Sequence, residues 1–170
     1  FNLTTMPNDN VTLYARFQVN QYVVSFVSDE VINRSFNYGA EINYLPPTKL
    51  GYSFLGWYLD EAKLIAKPST MPSNALILYA KYQINEYSIK FNSNGGTVYE
   101  DVVLEYNTLF TPPTPQRVGY TFDGWFTNSS LQTRYTSNRV TAANITLYAK
   151  WIVNQYKISF TTNGPVVNDV

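Results

Sequence analysis

The sequence contains no cysteine and no histidine. That removes thiol nucleophiles, imidazole general bases, Ser-His-Asp triads and ordinary zinc sites together. It also removes disulfides, so nothing argues for a cysteine-stapled scaffold. Charge is sparse and balanced, with 12 Lys plus Arg against 12 Asp plus Glu. A neutral chain has no electrostatic footprint for nucleic acid or an anionic membrane, and no nucleic-acid partner is expected. No apolar run approaches the roughly 18 residues of a transmembrane helix, so no membrane insertion is expected from this segment. No signal peptide opens the chain. The first residues, Phe1-Asn2-Leu3-Thr4, read as the interior of a domain, and the chain is expected to be a segment of a longer protein.

What is abundant is apolar and aromatic. Hydrophobic residues make up 45% and aromatics 16% of the 170 residues, enough to build a core and too much for a disordered tail. Self-similarity organises them. Tyr14-Ala15-Arg16-Phe17 returns as Tyr79-Ala80-Lys81-Tyr82 and as Tyr148-Ala149-Lys150-Trp151, at spacings of 65 and 69 residues. Gly51-Tyr52-Ser53-Phe54-Leu55-Gly56-Trp57-Tyr58 returns 68 residues later as Gly119-Tyr120-Thr121-Phe122-Asp123-Gly124-Trp125-Phe126. Tyr38 matches Tyr106 at the same spacing. Val19-Asn20-Gln21-Tyr22, Ile84-Asn85-Glu86-Tyr87 and Val153-Asn154-Gln155-Tyr156 are three copies of one junction. The chain therefore divides into the end of one repeat (1–20), a complete repeat (21–85), a second complete repeat (86–154) and the start of another (155–170).

Alternation marks strands. Leu76, Leu78, Ala80, Tyr82 and Ile84 share one face, then Tyr87, Ile89 and Phe91 share the next. The same phase switch follows Val11–Val19 and Ile145–Val153. Because a strand has period two, no straight strand keeps both sets on one face, so the chain bends or enters a new domain at each Asn-Gln/Glu pair. Such short joints predict semi-rigid beads in an elongated array. A further strand is expected near Tyr99–Tyr106, and Pro112, Pro113 and Pro115 make 111–118 a connection or a short helical turn. Gly56 and Gly124 interrupt strands and suggest a bulge or close backbone contact. Only Glu61-Ala62-Lys63-Leu64 looks mildly helical. The class is mainly β, in small tandem modules with little helix. Trp57 and Trp125 are expected core anchors, supported by Trp151, Phe54, Phe122, Tyr52 and Tyr120.

Three motifs in order now support a family resemblance. They are Phe91-x-x-Asn94-Gly95-Gly96, the Gly119–Phe126 block, and Ile145-Thr146-Leu147-Tyr148-Ala149-Lys150-Trp151. Together they closely resemble the Listeria–Bacteroides repeat, the B-repeat of internalin-like proteins. The 21–85 copy departs from the pattern in having Ser28-Asp29-Glu30 where the Gly-Gly turn falls, and Tyr82 in place of Trp. The resemblance implies a compact β-grasp-like module, found in tandem in bacterial cell-surface or secreted proteins. It implies an extracellular location and carries over no catalytic residue and no cofactor.

Several local patterns have blander readings. Leu45-Pro46-Pro47-Thr48-Lys49 is similar to a sortase signal, but it lacks the final Gly and another strand follows, so it reads as a turn. Lys81 and Lys150 lie on last strands, where an isopeptide bond to Asn is conceivable, yet alternation turns both away from the core. Asn2, Asn10, Asn33, Asn128 and Asn144 head Asn-x-Ser/Thr triplets, and with so much Asn in the chain these read as chance occurrences rather than glycan acceptors. Asp60-Glu61 and Glu100-Asp101 lack calcium-loop spacing, and Asn94-Gly95-Gly96 is too short for a phosphate loop. Tyr14, Tyr79 and Tyr148 face away from Leu13, Leu78 and Leu147 and are the candidate ligand contacts, although cover by a second layer or the neighbouring strand is the favoured reading. The leading expectation is a non-catalytic stalk whose partners are its neighbouring repeats. The alternatives are an adhesion module binding host glycan or protein through exposed aromatics, and a self-associating filament or layer. No carboxylate pair recurs at repeated positions, so an enzyme is not expected.

Overall fold

The computed structural model describes Asn8, residues 10–161 and Gly164. The expectations for Asn2 and for the outer ends of 1–20 and 155–170 lie outside these residues. Eight strands form in chain order: β1 Gln21–Val27, β2 Val31–Asn37, β3 Tyr52–Tyr58, β4 Leu76–Ile84, β5 Glu86–Asn92, β6 Val102–Glu105, β7 Tyr120–Phe126 and β8 Ile145–Val153. They make two sheets of four strands each, ordered β2-β1-β4-β3 and β6-β5-β8-β7. No helix occurs among the described residues. By packing, the chain divides into two compact units. One holds the described residues up to Pro47 together with Leu55–Lys81, and the other holds Thr48–Phe54 together with those from Tyr82 onward.

In both sheets the first strand pairs antiparallel with the second and parallel with the last. The parallel register sets Phe26 beside Leu78 and Phe91 beside Leu147. Alternation then sends Val24, Phe26, Leu78 and Ala80 to one face, all buried. Trp57, Ile42 and Met71 complete that core. Phe26 stacks on Tyr44 with ring centroids 4.3 Å apart and meets Trp57 edge-on at 4.9 Å. The second core repeats the plan with Ile89, Trp125, Val140, Leu147 and Ala149, and with Phe91 and Phe110 packed against it. Trp125 donates its Nε1–H to the Pro113 carbonyl at 2.7 Å, so the Pro-rich connection is bonded to the core.

The first hairpins differ for a local reason. Ser28-Asp29-Glu30 makes a tight turn, closed by the Ser28 N–H to the Glu30 carbonyl at 2.8 Å, and β1 and β2 pair along their whole lengths. The second copy spends Ser93–Asp101 on its loop, and β6 is only 4 residues long. There Asn94 and Gly95 take positive φ, 47° and 87°, and Asn94 Nδ2 donates to the Ala149 carbonyl at 2.7 Å. The loop is thereby tied to β8.

Two local expectations change. Glu61–Leu64 is a turn rather than a helix: Lys63 has φ 55°, and Asp60 accepts from the Leu64 and Ile65 N–H groups. A carboxylate that caps its own loop competes with helix continuation. Residues 111–118, by contrast, are a connection, the first of the two forms expected of them; it ends in the Arg117–Tyr120 turn and is held by the Thr97 N–H to the Gln116 carbonyl at 2.9 Å. The Val11–Val19 pattern matches β4 and β8 but forms no strand. Both β4 and β8 are central strands flanked by two partners, and no described strand precedes residue 21 to play that part. Residues 154–161 likewise form no strand.

Trp125 packs 5.3 Å from Phe91 and 5.6 Å from Phe122, centroid to centroid. Trp125→Ala should lower stability by about 3–5 kcal/mol. Urea unfolding followed by far-UV circular dichroism should then show loss of the second sheet; an unchanged midpoint would remove Trp125 from its anchoring place.

Candidate functional site

The outer face of each sheet is where the repeated motifs concentrate side chains outside the core. In the second unit, β7 breaks register between Phe122 and Gly124, so that Asp123 is the extra residue of a bulge opposite Lys150. Gly124 sits at φ +148°, and a Cβ there would run into the Arg134 guanidinium. The absence of a side chain therefore admits Arg134 against the bulge. Asp123 accepts from Arg134 Nη2 at 2.7 Å and lies 3.1 Å from Lys150 Nζ. Arg134 and Lys150 both cover the Phe126 ring, at 5.2 and 5.1 Å from its centroid. The result is one carboxylate with two cations over one buried ring. Phe126 is 5% exposed and offers little aromatic surface to a ligand.

The first unit carries part of this arrangement. Lys81 lies 5.0 Å from the Tyr58 centroid and donates to the Lys63 carbonyl at 3.2 Å. Leu55 and Ala66 stand where Asp123 and Arg134 stand, as the bridges Tyr58–Ala66 and Phe126–Arg134 align. Lys81 and Lys150 are half-buried on the outer face, engaged with a carbonyl and a carboxylate respectively. Alternation alone leads one to expect more exposure. The difference comes from the long stems lying along Tyr58 and Phe126.

The other named residues separate into groups. Trp57 and Trp125 are buried in the two cores. Trp151 is half-buried and donates to the Ser93 carbonyl at 2.9 Å, and its ring fills the space beside Gly96. Phe122 bridges Trp125 and Trp151, while Phe54 meets Tyr82 at 5.8 Å. Tyr52 and Tyr120 begin β3 and β7, each half-buried with a cation over its ring, Lys49 at 5.5 Å and Arg117 at 3.8 Å. Gly56 has φ +146°. Tyr14 is 90% exposed, but Tyr79 and Tyr148 are half-buried, Tyr148 standing opposite Phe126. The three candidate tyrosines therefore present no uniform surface. The Asp123–Arg134–Lys150 cluster escapes a sequence reading because Arg134 comes from the irregular 127–140 stretch; its only signal is the charge of Asp123 inside an otherwise neutral motif. Asn144, at the head of a sequon, accepts the Ser88 N–H at 2.8 Å and so serves the start of β5.

Asp123 titrates below the ordinary aspartate value of 3.8, held down by hydrogen bonds from Lys150 and then Arg134. Asp60 is also lowered, chiefly by the Ile65 N–H, with Leu64 assisting. A depressed folded-state pKa stabilises the fold above the unfolded value, and that stabilisation is lost as pH falls through the folded value. Among the described residues no three His, Cys, Asp or Glu side chains gather as a metal site.

The family described as the Listeria-Bacteroides repeat domain matches residues 22–81 and again 87–150. A putative Gly-rich membrane protein of Evansella cellulosilytica is 40% identical over 167 residues, covering 94% of this chain and 19% of that protein. A putative membrane protein of the same organism is 40% identical over 165 residues, covering 91% and 24%. Internalin H of Listeria monocytogenes is 34% identical over 129 residues, covering 72% and 23%. The chain thus spans about a fifth to a quarter of the length of these relatives. No helix among the described residues is long and apolar enough to cross a membrane.

Melting temperature should fall as pH drops below the ordinary aspartate range. The Asp60→Asn/Asp123→Asn pair should flatten that fall when followed by circular dichroism; an identical acid slope in the variant would contradict the assignment.

Proposed function

Because this chain belongs to the Listeria–Bacteroides repeat family, we propose that its repeats act as a non-catalytic stalk, spacing other parts of a bacterial envelope or surface protein. The observation that carries this is the parallel pairing of first and last strands in each sheet. The chain enters at the start of the first strand and leaves at the far end of the last, so each sheet transmits the chain from one end to the other. Through the Val24–Leu76 pairing, Gln21 to Ile84 is eleven residue steps along the strand direction, and Glu86 to Val153 through Ile89–Ile145 is eleven again. At about 3.3 Å per step, each module advances the chain by roughly 36 Å. Only Asn85 separates β4 from β5, which leaves little slack in the joint.

The sheet order, with its parallel central pair, supports a β-grasp-like reading in which the connection between second and third strands replaces the helix. The names of the relatives support an envelope or surface location, and an extracellular one is part of the proposal. The outer faces favour spacing over ligand capture: cations cover Tyr58 and Phe126, and Tyr79 and Tyr148 are half-buried.

Small-angle scattering of the 170-residue chain tests this. Two modules in line should give a radius of gyration above about 20 Å, whereas one globule of this length would give about 15 Å. The smaller value would overturn the stalk reading.

A further inference from the structure

The second unit contains the same corner twice, and among the described residues a ring is seated on the first of them. The first corner is Lys49-Leu50-Gly51-Tyr52, which leads into β3. Gly51 has φ +77° and its carbonyl accepts the Asn85 N–H at 2.9 Å. Asn85 Oδ1 accepts the Ser53 hydroxyl at 2.6 Å, and the Asn85 carbonyl accepts the Tyr106 N–H at 2.8 Å. This chain of bonds delivers the Tyr106 ring onto the corner. A Cβ on Gly51 would overlap that ring, and Tyr52 meets it edge-on at 6.1 Å.

The second corner is Arg117-Val118-Gly119-Tyr120, which leads into β7. Gly119 has φ +81°, and its carbonyl accepts the Asn154 N–H at 2.9 Å. Asn154 Oδ1 accepts the Thr121 hydroxyl at 2.6 Å. The bonding matches the first corner atom for atom. Yet a Cβ on Gly119 would meet nothing within 4 Å among the described residues, and Val118 is fully exposed. The corner continues into an open groove lined by Pro115, Gln116, Tyr120, Phe122 and Trp151.

A third observation shows that the arriving tyrosine is built to the same rule. The Tyr38 N–H donates to the Asn20 carbonyl at 2.8 Å, as Tyr106 does to Asn85. Tyr38 is 60% exposed, whereas Tyr106, seated on Gly51, is half-buried. The bond to the junction Asn therefore positions the tyrosine backbone by itself, and the corner supplies the cover for its ring.

We propose that the Arg117–Tyr120 corner is the docking site for the tyrosine at the Tyr38/Tyr106 position of a repeat joined after Asn154. The occupant is a further copy of this repeat. Its backbone N–H bonds the Asn154 carbonyl, its ring lies flat over Gly119, and Tyr120 meets the ring edge-on. Any side chain at Gly119 would fill the seat, so two constraints select glycine there: positive φ and the approach of a ring. This inference rests on the tandem-stalk reading and adds to it a packed ring beside the Asn154 junction.

The test uses the chain completed after Phe160 with a copy of residues 92–154, a join that keeps the repeat in register. Amide exchange at Asn154 and the NMR shifts of Gly119 are compared between three proteins: the completed chain, the same chain with the added tyrosine changed to Ser, and the completed chain carrying Tyr120→Ala. In the first, Asn154 exchange should slow about tenfold relative to the 170-residue chain, the equivalent of one aromatic pair. The Gly119 α-protons should also move upfield under the ring. Both effects should disappear in the Ser variant and in Tyr120→Ala, the second of which leaves the added repeat untouched. Equal exchange and equal shifts in the completed chain and Tyr120→Ala would overturn the proposal. Scattering on the completed chain separates this from the stalk reading: an elongated particle without the Gly119 shift sinks the seat alone, and a globular one sinks the stalk.

Discussion

The parallel pairing of first and last strands, Phe26 beside Leu78 and Phe91 beside Leu147, is the constraint from which the rest of each module follows. It joins residues more than fifty positions apart, and closing a loop of that length costs about 3–4 kcal/mol. Burying one Leu or Phe side chain returns about 1.5–3 kcal/mol. Two or three of the residues on that seam therefore offset the closure. The remaining core residues, Trp57 with Met71 and Trp125 with Val140, then cover the seam from one side. Once the central pair is fixed, the second and third strands can only add to its two outer edges. The bulge at Asp123, the Trp125–Pro113 bond and the cation cluster over Phe126 are all placed by it.

Much of this was legible in the sequence because it depends on period two. The alternation in Leu76–Ile84 and Ile145–Val153 names the buried residues Leu78, Ala80, Leu147 and Ala149. The phase switch at Asn85 follows from the same rule, and β4 and β5 do lie in different sheets. Gly124 interrupts its strand at the register shift of β7.

What was not legible is set by contacts without period. The turn at Asp60 depends on a carboxylate reaching the Leu64 and Ile65 N–H groups, which outweighs the helical propensity of Glu61-Ala62-Lys63-Leu64. Arg134 reaches Asp123 from an irregular loop that no pattern places. The strand-like pattern of Val11–Val19 shows the limit of alternation. A central strand is defined by its two neighbours, and pattern alone does not supply them. Lys81 and Lys150 point outward as alternation requires, yet aromatic neighbours cover their stems. Repeats of one plan can thus differ on their outer faces while keeping the same seam.

The seam also determines how a module answers tension. A pull on the start of β1 and the end of β4 loads their shared hydrogen bonds together, in shear. A pull across the β1–β2 hairpin breaks its bonds one after another. The most direct measurement is single-molecule force spectroscopy with cysteine handles, which the cysteine-free chain accepts without competition. Gln21→Cys with Gln83→Cys loads the seam, and Gln21→Cys with Asn37→Cys opens the hairpin. The account requires a single abrupt event in the first geometry, releasing roughly 200 Å of chain, at a clearly higher force than in the second. Equal forces, or gradual extension along the seam, would contradict it.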